Sequence, residues 1–309
     1  MTNTSRRDFF KAAAAVTAVG AFASRGAFAR DAKPKAGNNP IWLMTSALAF
    51  EKNFDGVVKR ALDVGAQGLE LCVFRRDTDR TDHVATHLDY DNFTPETARR
   101  VIEVCNKTGL RISVGSYDNL IGGDPAQQIK NQNHILKLIR IASLLGGDAN
   151  DVVCGSFVGY DVELGNEENG FEKNLEKFKK VFTPILKYAK SLGVTVCVEN
   201  CPMEGWRKVS STDCYCNLPG CLAARKLMYA LVPSKAIAET YDPSHDIWQH
   251  VDPCDIINSM DFARLRRVHI KGTEVILRCF CAADQAEAAI LLVQHLRRAQ
   301  TAVVVVAHG

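Results

Sequence analysis

The chain has 309 residues, 47% of them hydrophobic and 24% charged, which suits one large globular α/β domain. Its formal net charge of +3 resides in the first 29 residues, where Arg6, Arg7, Lys11 and Arg25 outnumber Asp8. Without that segment the chain is neutral, which excludes a general electrostatic attraction to nucleic acid or an anionic membrane.

In chain order, Ser5-Arg6-Arg7-Asp8-Phe9-Phe10-Lys11 leads into an Ala-rich apolar run and then Ala27-Phe28-Ala29, a small-x-small cleavage site. A basic start, a short apolar stretch and a cleavage site make a secretory signal, and the paired arginines make it a twin-arginine one. The apolar run is shorter than the ~20 residues a bilayer needs, so no stable membrane anchor is expected. The expected partner is the twin-arginine export machinery, and the expected location periplasmic or secreted. That route exports folded proteins. Residues 30–40 read as a linker.

From Ile41 short apolar runs alternate with amphipathic stretches, the pattern of βα units and a parallel sheet. Seven strands are predicted: Ile41–Thr45, Gly68–Cys72, Arg111–Gly115, Asp151–Gly155, Thr195–Glu199, Ile237–Tyr241 and Arg267–Lys271. Helices are predicted over Phe54–Val64, Pro95–Thr108, Asp124–Leu145, Phe171–Leu192 and Asp255–Phe262, with Thr94 as an N-cap. Gly65, Gly109, Gly146 and Gly193 each close a helix, where a left-handed cap is expected. The pattern leaves an eight-stranded barrel or an open doubly wound sheet. No Gly-x-Gly-x-x-Gly follows the first strand, so a dinucleotide fold has no positive support.

In a βα barrel the chemistry sits at the C-terminal ends of the strands. The fifth strand ends at Glu199, the sixth is followed by Asp242 and His245, and the seventh carries His269 and Lys271. Alternation puts His269 and Lys271 on one face and Val268 and Ile270 on the other. With the apolar pair toward the helices, Glu199, Asp242 and His269 converge from three neighbouring strands. Two carboxylates and an imidazole suit one divalent ion, Mn²⁺, Mg²⁺, Co²⁺ or Zn²⁺. Such an ion polarises a sugar carbonyl, and a carboxylate moves the proton next to it. Taken singly, each residue has a plainer reading: a solvated Glu, an Asp-Pro turn, a hydrogen-bonded core His. Three in strand order outweigh that. His83, His87 and His134 lack such partners and read as surface or loop residues. Trp206 and Trp248 read equally as pocket lining or as packing.

Of 11 cysteines, Cys201, Cys214, Cys216 and Cys221 lie within 21 residues. Disulfides, buried or free thiols and a zinc knot all remain open there, although Cys-x-Cys is not the usual zinc spacing and no His lies nearby.

Val198-Glu199-Asn200-Cys201-Pro202-Met203 with Gly205-Trp206, Tyr241-Asp242-Pro243-Ser244-His245-Asp246-Ile247-Trp248-Gln249 with Val251-Asp252-Pro253, and Val268-His269-Ile270-Lys271-Gly272-Thr273-Glu274 resemble the xylose-isomerase-like barrel family of sugar phosphate isomerases and epimerases. Gly68-Leu69-Glu70-Leu71 resembles its second strand. The resemblance implies a (β/α)8 TIM barrel over residues 41–276, with Glu199, Asp242 and His269 as metal ligands. It makes His245 a substrate or water contact beside the metal, and Lys271 a pocket residue. Glu70 reads as at most a pocket wall, more simply a structural hydrogen bond. The family's eighth-strand glutamate has no counterpart here. Val303–Val306 reads as strand-like but ends in no carboxylate, and residues 277–309 form an atypical tail, so the barrel is expected to be incomplete at its eighth strand. A shifted reading frame or truncation would explain that tail.

The expected function is therefore metal-dependent isomerisation or epimerisation of a sugar or sugar derivative. Glu199 serves as ligand and proton carrier, and His245 and Lys271 contact the substrate. Export points to free sugars, ketosugars or glycosides rather than phosphorylated ones. Alternatives are a lyase or hydrolase of oxidised glycosides on the same site, and a non-catalytic sugar-binding protein. A homo-oligomer is left open.

Overall fold

The computed structural model describes residues 41–77, 86–146, 153–202 and 217–270, and the elements below belong to one compact unit that begins at Trp42. Seven parallel strands form one sheet in strictly sequential order. They are β1 (Trp42–Met44), β2 (Gly68–Cys72), β3 (Arg111–Ser116), β4 (Val153–Ser156), β5 (Thr195–Glu199), β6 (Ile237–Tyr241) and β7 (Leu265–Val268). Between them run α1 (Phe54–Asp63), α2 (Pro95–Thr108), α3 (Pro125–Leu145), the short α4 (Val162–Gly165), α5 (Gly170–Ser191), α6 (Leu222–Leu231), α7 (Pro243–Trp248) and α8 (Pro253–Ser259).

The helices start where short polar side chains meet free amides. Asn53, Thr94, Asp124 and Asp161 each accept a hydrogen bond from the first turn of α1, α2, α3 and α4, which satisfies donors that have no partner inside the helix. Gly109 ends α2 in the left-handed region, φ 76°, where a side chain would be strained. Gly146 departs from the expectation: its φ is −63°, and it ends α3 as a right-handed residue.

The strands between the two ends of the sheet are buried on both faces, apart from the first residues of β3 and β5. Every residue of β2 and β6 is buried, as a parallel sheet covered by helices requires. On the helix side, Leu69, Leu71, Val196 and Val198 of the strands and Leu138, Ile139, Phe178 and Phe182 of α3 and α5 are all fully buried. Each such side chain contributes about 1.5–3 kcal/mol of burial free energy. Toward the interior, Val153, Cys197 and Ala238 pack together on three neighbouring strands. Further along, Met44, Cys72, Phe74, Tyr117, Phe157 and Cys201 form a second cluster.

The sheet curls back on itself. The guanidinium of Arg267 on β7 lies 4.2 Å from the ring centroid of Trp42 on β1, and the ring of His269, just after β7, reaches Glu70 on β2. Seven strands of the expected barrel are thus in place. The expected tail at 277–309, with Val303–Val306, lies outside the described residues.

The seventh strand differs from its prediction, spanning Leu265–Val268 rather than Arg267–Lys271. The pairing of β6 with β7 carries a bulge at Glu239/Thr240, and this draws Leu265 and Arg266 into the strand. Val268 and Ile270 do point away from the interior, but no described helix covers them: they are 49% and 81% exposed. His87 and His134, expected at the surface, are buried. The ring of His87 bonds the carbonyls of Leu48 and Glu51, and that of His134 bonds the Val73 carbonyl at 2.7 Å. His83 lies outside the described residues.

Candidate active site

β5 places Glu199 two residues after Cys197, on the interior face, and leaves it 5% exposed. β6 ends at Tyr241, and the next residue, Asp242, caps α7. Its Oδ1 accepts the Ser244 amide at 2.9 Å and the Ser244 hydroxyl at 2.6 Å. Those bonds turn Oδ2 toward His245, one helical turn on, whose Nε2 lies 3.4 Å away. The same Nε2 stands 3.2 Å from Glu199 Oε1. Ligand atoms of Glu199, Asp242 and His245 all fall within 4.8 Å of one another, and all three residues are buried.

The backbone under this cluster is cross-braced. The Asn200 side chain donates to the Asp242 carbonyl at 3.0 Å and accepts the Asp242 amide at 2.8 Å, locking the end of β5 to the end of β6. Asn217 donates to the Glu199 and Cys201 carbonyls and accepts the amides of Val158 and Gly159. Behind α7, the Tyr241 hydroxyl donates to Asp246 at 2.7 Å. Arg225 on α6 pairs with the buried Glu239 at 2.9 Å on the helix side of β6.

His269 takes a different place from the one expected. It follows β7 and continues its pairing, with its amide donating to the Tyr241 carbonyl at 2.9 Å. Its Nδ1 lies 3.5 Å from Glu199 Oε1, while its Nε2 meets Glu70 at 3.1 Å. The close three-residue group is thus Glu199, Asp242 and His245, with His269 beside it, bridging Glu199 and Glu70. Lys271 lies outside the described residues, as do Trp206, Cys214 and Cys216. Cys201 is buried in the interior cluster and Cys221 is exposed.

Glu70, read from the sequence as at most a pocket wall and more simply a structural hydrogen bond, is indeed hydrogen-bonded, to His269 and Tyr117; sequence reasoning missed Tyr117. The Tyr117 hydroxyl donates to Glu70 Oε1. The signal for Glu70 was a carboxylate inside the apolar strand Gly68-Leu69-Glu70-Leu71-Cys72, the same kind of signal that picked out Glu199.

Charge is concentrated here. Burial pushes the Glu199 carboxyl up, but hydrogen bonds from His245 and His269 outweigh it and hold the group far below the carboxylate range. Burial also raises Glu70, and the charge of His269 reverses that. For His269, burial favours the neutral ring, yet Glu70 and Glu199 together hold its pKa well above the usual value. Burial beside Glu70 raises the Cys72 thiol to about 12, so it stays protonated. Two buried carboxylates thus flank one imidazole.

The fold and the site together define a parallel βα-barrel protein with a buried carboxylate–imidazole cluster at the C-terminal mouth of its strands, where barrel enzymes carry out their chemistry. Residues 58–279 match the family described as xylose isomerase-like TIM barrel, and the chain belongs to that family. Residues 3–23 match the twin-arginine translocation signal, which directs export across the cytoplasmic membrane. No helix among the described residues is long and apolar enough to cross a membrane.

Similar solved structures include a D-tagatose 3-epimerase-like protein, at TM-score 0.55 and 14% identity over 75% of this chain and 76% of that one. L-ribulose 3-epimerase is similar at TM-score 0.52 and 17% identity, over 75% and 69% of the two chains. D-psicose 3-epimerase, crystallised in the presence of D-fructose, is similar at TM-score 0.51 and 13% identity over 77% of each chain. No curated protein sequence matches the chain.

Proposed function

We propose that the chain is a metal-dependent isomerase or epimerase acting on a sugar or sugar derivative. One observation carries this reading: Glu199, Asp242 and His245, all buried, bring ligand atoms within 4.8 Å of one another at the strand ends. The donor set fits a divalent ion, since buried carboxylates need a positive partner and an imidazole adds a nitrogen ligand. Glu199 and Asp242 would hold a Mn²⁺, Mg²⁺, Co²⁺ or Zn²⁺ ion together with a nitrogen of His269, whose Nδ1 lies 3.5 Å from Glu199 Oε1, and His245 of the close group is near enough to join them or to face the substrate. When bound, the ion supplies Lewis-acid polarisation of a carbonyl and its neighbouring hydroxyl.

The protein's own groups do the rest. Glu199 is ionised and buried, so its carboxylate accepts the proton from the carbon next to the carbonyl and returns it. His245 holds a substrate hydroxyl or water beside Glu199. Lys271 is assigned a substrate contact as well. Asp242 is held by Ser244 and Asn200, so the pocket keeps its shape through the reaction. The packed interior cluster around Cys72, Tyr117 and Phe157 supplies an apolar wall inside the barrel. The twin-arginine signal supports a periplasmic or secreted site of action, and hence unphosphorylated sugars or glycosides as substrates. The family, and epimerases among its structural neighbours, support the reaction class.

The test is metal analysis of the purified protein together with solvent-deuterium exchange into candidate ketoses and aldoses. A stoichiometric divalent ion, lost in Glu199→Gln, with deuterium entering the carbon next to the carbonyl, is the expected result. Protein that binds no divalent ion overturns the reading, and exchange without any isomer formed reassigns the site to elimination chemistry.

A further inference from the structure

We propose that Glu70, backed by Tyr117, is the positioning residue for His269, dividing its two ring nitrogens so that Nδ1 faces the carboxylate cluster. The inference rests on His269 belonging to the cation site proposed above. It starts from the sequence of β2, where Glu70 stands on the interior face between Gly68 and Cys72 and is 5% exposed. A carboxylate buried to that degree must be hydrogen-bonded.

Its partners come from across the barrel. His269 Nε2 lies 3.2 Å from Oε1 and 3.1 Å from Oε2, and the Tyr117 hydroxyl donates to Oε1. In the sheet β2 and β7 stand at positions two and seven, so this contact spans the interior rather than a strand pair. The opposite nitrogen, Nδ1, faces Glu199 Oε1 at 3.5 Å. A carboxylate that keeps the N–H at Nε2 makes Nδ1 the nitrogen that gives up its proton to a bound cation, which fixes both the tautomer and the ring plane of a ligand histidine.

The fold clears space for this arrangement. A Cβ on Gly155 would fall 2.4 Å from the Tyr117 hydroxyl oxygen, and one on Gly115 would fall 3.1 Å from its ring. Two neighbouring strands therefore carry glycine where Tyr117 crosses them to reach Glu70. Phe157 holds the same ring edge-on at 5.1 Å. Packing from β3 and β4 thus sets the orientation of one carboxylate on β2, and that carboxylate sets one imidazole after β7.

The experiment uses the full chain labelled with ¹⁵N-histidine, with and without Zn²⁺. Two-bond ¹H–¹⁵N correlations report which ring nitrogen of His269 carries the proton and which binds the metal. The expected result for the wild type is a proton on Nε2 and zinc on Nδ1. Glu70→Ala is expected to weaken Zn²⁺ binding about 10–100-fold and to scramble the nitrogen assignment. Glu70→Gln, which keeps an acceptor oxygen, is expected to restore part of both. Gly155→Ala keeps the carboxylate but displaces Tyr117, so it is expected to shift the Nε2–H resonance, and it serves where Glu70→Ala fails to fold. Unchanged zinc affinity and an unchanged Nδ1 bond in Glu70→Ala overturn the inference, because a merely structural Glu70 would move neither. A wild type that binds no Zn²⁺, with Glu199→Gln inert, overturns the cation reading instead. The positioning claim then stands or falls on the metal-free spectrum: a hydrogen-bonded Nε2–H that Glu70→Ala abolishes supports it, and the absence of that proton in the wild type ends it.

Discussion

Arg225→Met breaks a buried ion pair on the helix side of β6. The Arg225 side chain is fully buried, with Nε 2.9 Å from Glu239 Oε1 and one terminal nitrogen donating to the Pro219 carbonyl at 3.0 Å. Without the guanidinium, burial, which already raises the Glu239 carboxyl, acts unopposed by the arginine charge. The cheapest escape is protonation of Glu239. Relative to an unfolded carboxylate of pKa about 4.3, carrying that proton at pH 7 costs about 3.7 kcal/mol, at about 1.4 kcal/mol per pH unit. The lost bond to Pro219 adds about 1 kcal/mol. A destabilisation of about 3–5 kcal/mol at pH 7 follows, the range seen when one partner of a buried pair is removed.

The sign follows from proton counts. Between the unfolded and folded pKa values the folded variant binds more protons than the unfolded chain, so its stability falls as pH rises. The deficit should therefore shrink to about 2 kcal/mol near pH 5. Adding Glu239→Gln to Arg225→Met should remove the pH-dependent part. Urea unfolding of the three proteins at pH 5, 6 and 7, followed by circular dichroism, measures this. A deficit under about 1 kcal/mol at pH 7, or one that does not change with pH, refutes the reasoning.

Other perturbations have equally definite outcomes. Asn200→Ala removes both bonds that tie Asp242 to the end of β5; a roughly 10–100-fold loss of divalent-ion affinity is expected, read by calorimetric titration. Loading a divalent ion into the cluster must displace the proton that Glu70 and Glu199 hold on His269. Apparent affinity should therefore rise with pH through neutrality, with proton release seen as a dependence of the binding heat on buffer ionisation. Burial keeps His134 neutral in the folded chain, its pKa lowered, so below about pH 6.5 the unfolded chain binds the extra proton and stability falls with falling pH. His134→Gln should flatten that slope between pH 7 and 5, whereas His134→Leu, which leaves the Val73 carbonyl unpaired, should cost about 1–3 kcal/mol at any pH; thermal melts across the range distinguish them.

The strands were legible where a single physical signal dominated. β2, β5 and β6 lie where apolar runs and flanking turns put them, because buried parallel strands read as unbroken apolar runs. β7 was misplaced because Leu265-Arg266-Arg267 breaks that pattern, and a bulge in β6 decides its register. Glu199 and Asp242 were legible as charges at the ends of apolar strands. A hydrogen-bonded Glu70 was legible too, but its partners were not, since they lie 47 and 199 positions away and no local spacing points to either. His134 precedes Ile135 and stands four residues before Leu138, on the buried side of α3, so helical periodicity carried the signal for its burial. For His87 nothing did, since its partners are backbone carbonyls 36 and 39 positions away.

Because each strand joins only the one made before it, the framework can be laid down in the order of synthesis, one βα unit at a time. The pocket cannot: Glu70 arrives early and waits for His269, which closes the ring of charges near the end of the described chain. Damage confined to the last two strands would thus leave a largely hydrogen-bonded scaffold whose chemistry is dismantled. A secretion route that accepts finished proteins would be presented with a molecule sound in outline and hollow at its working end.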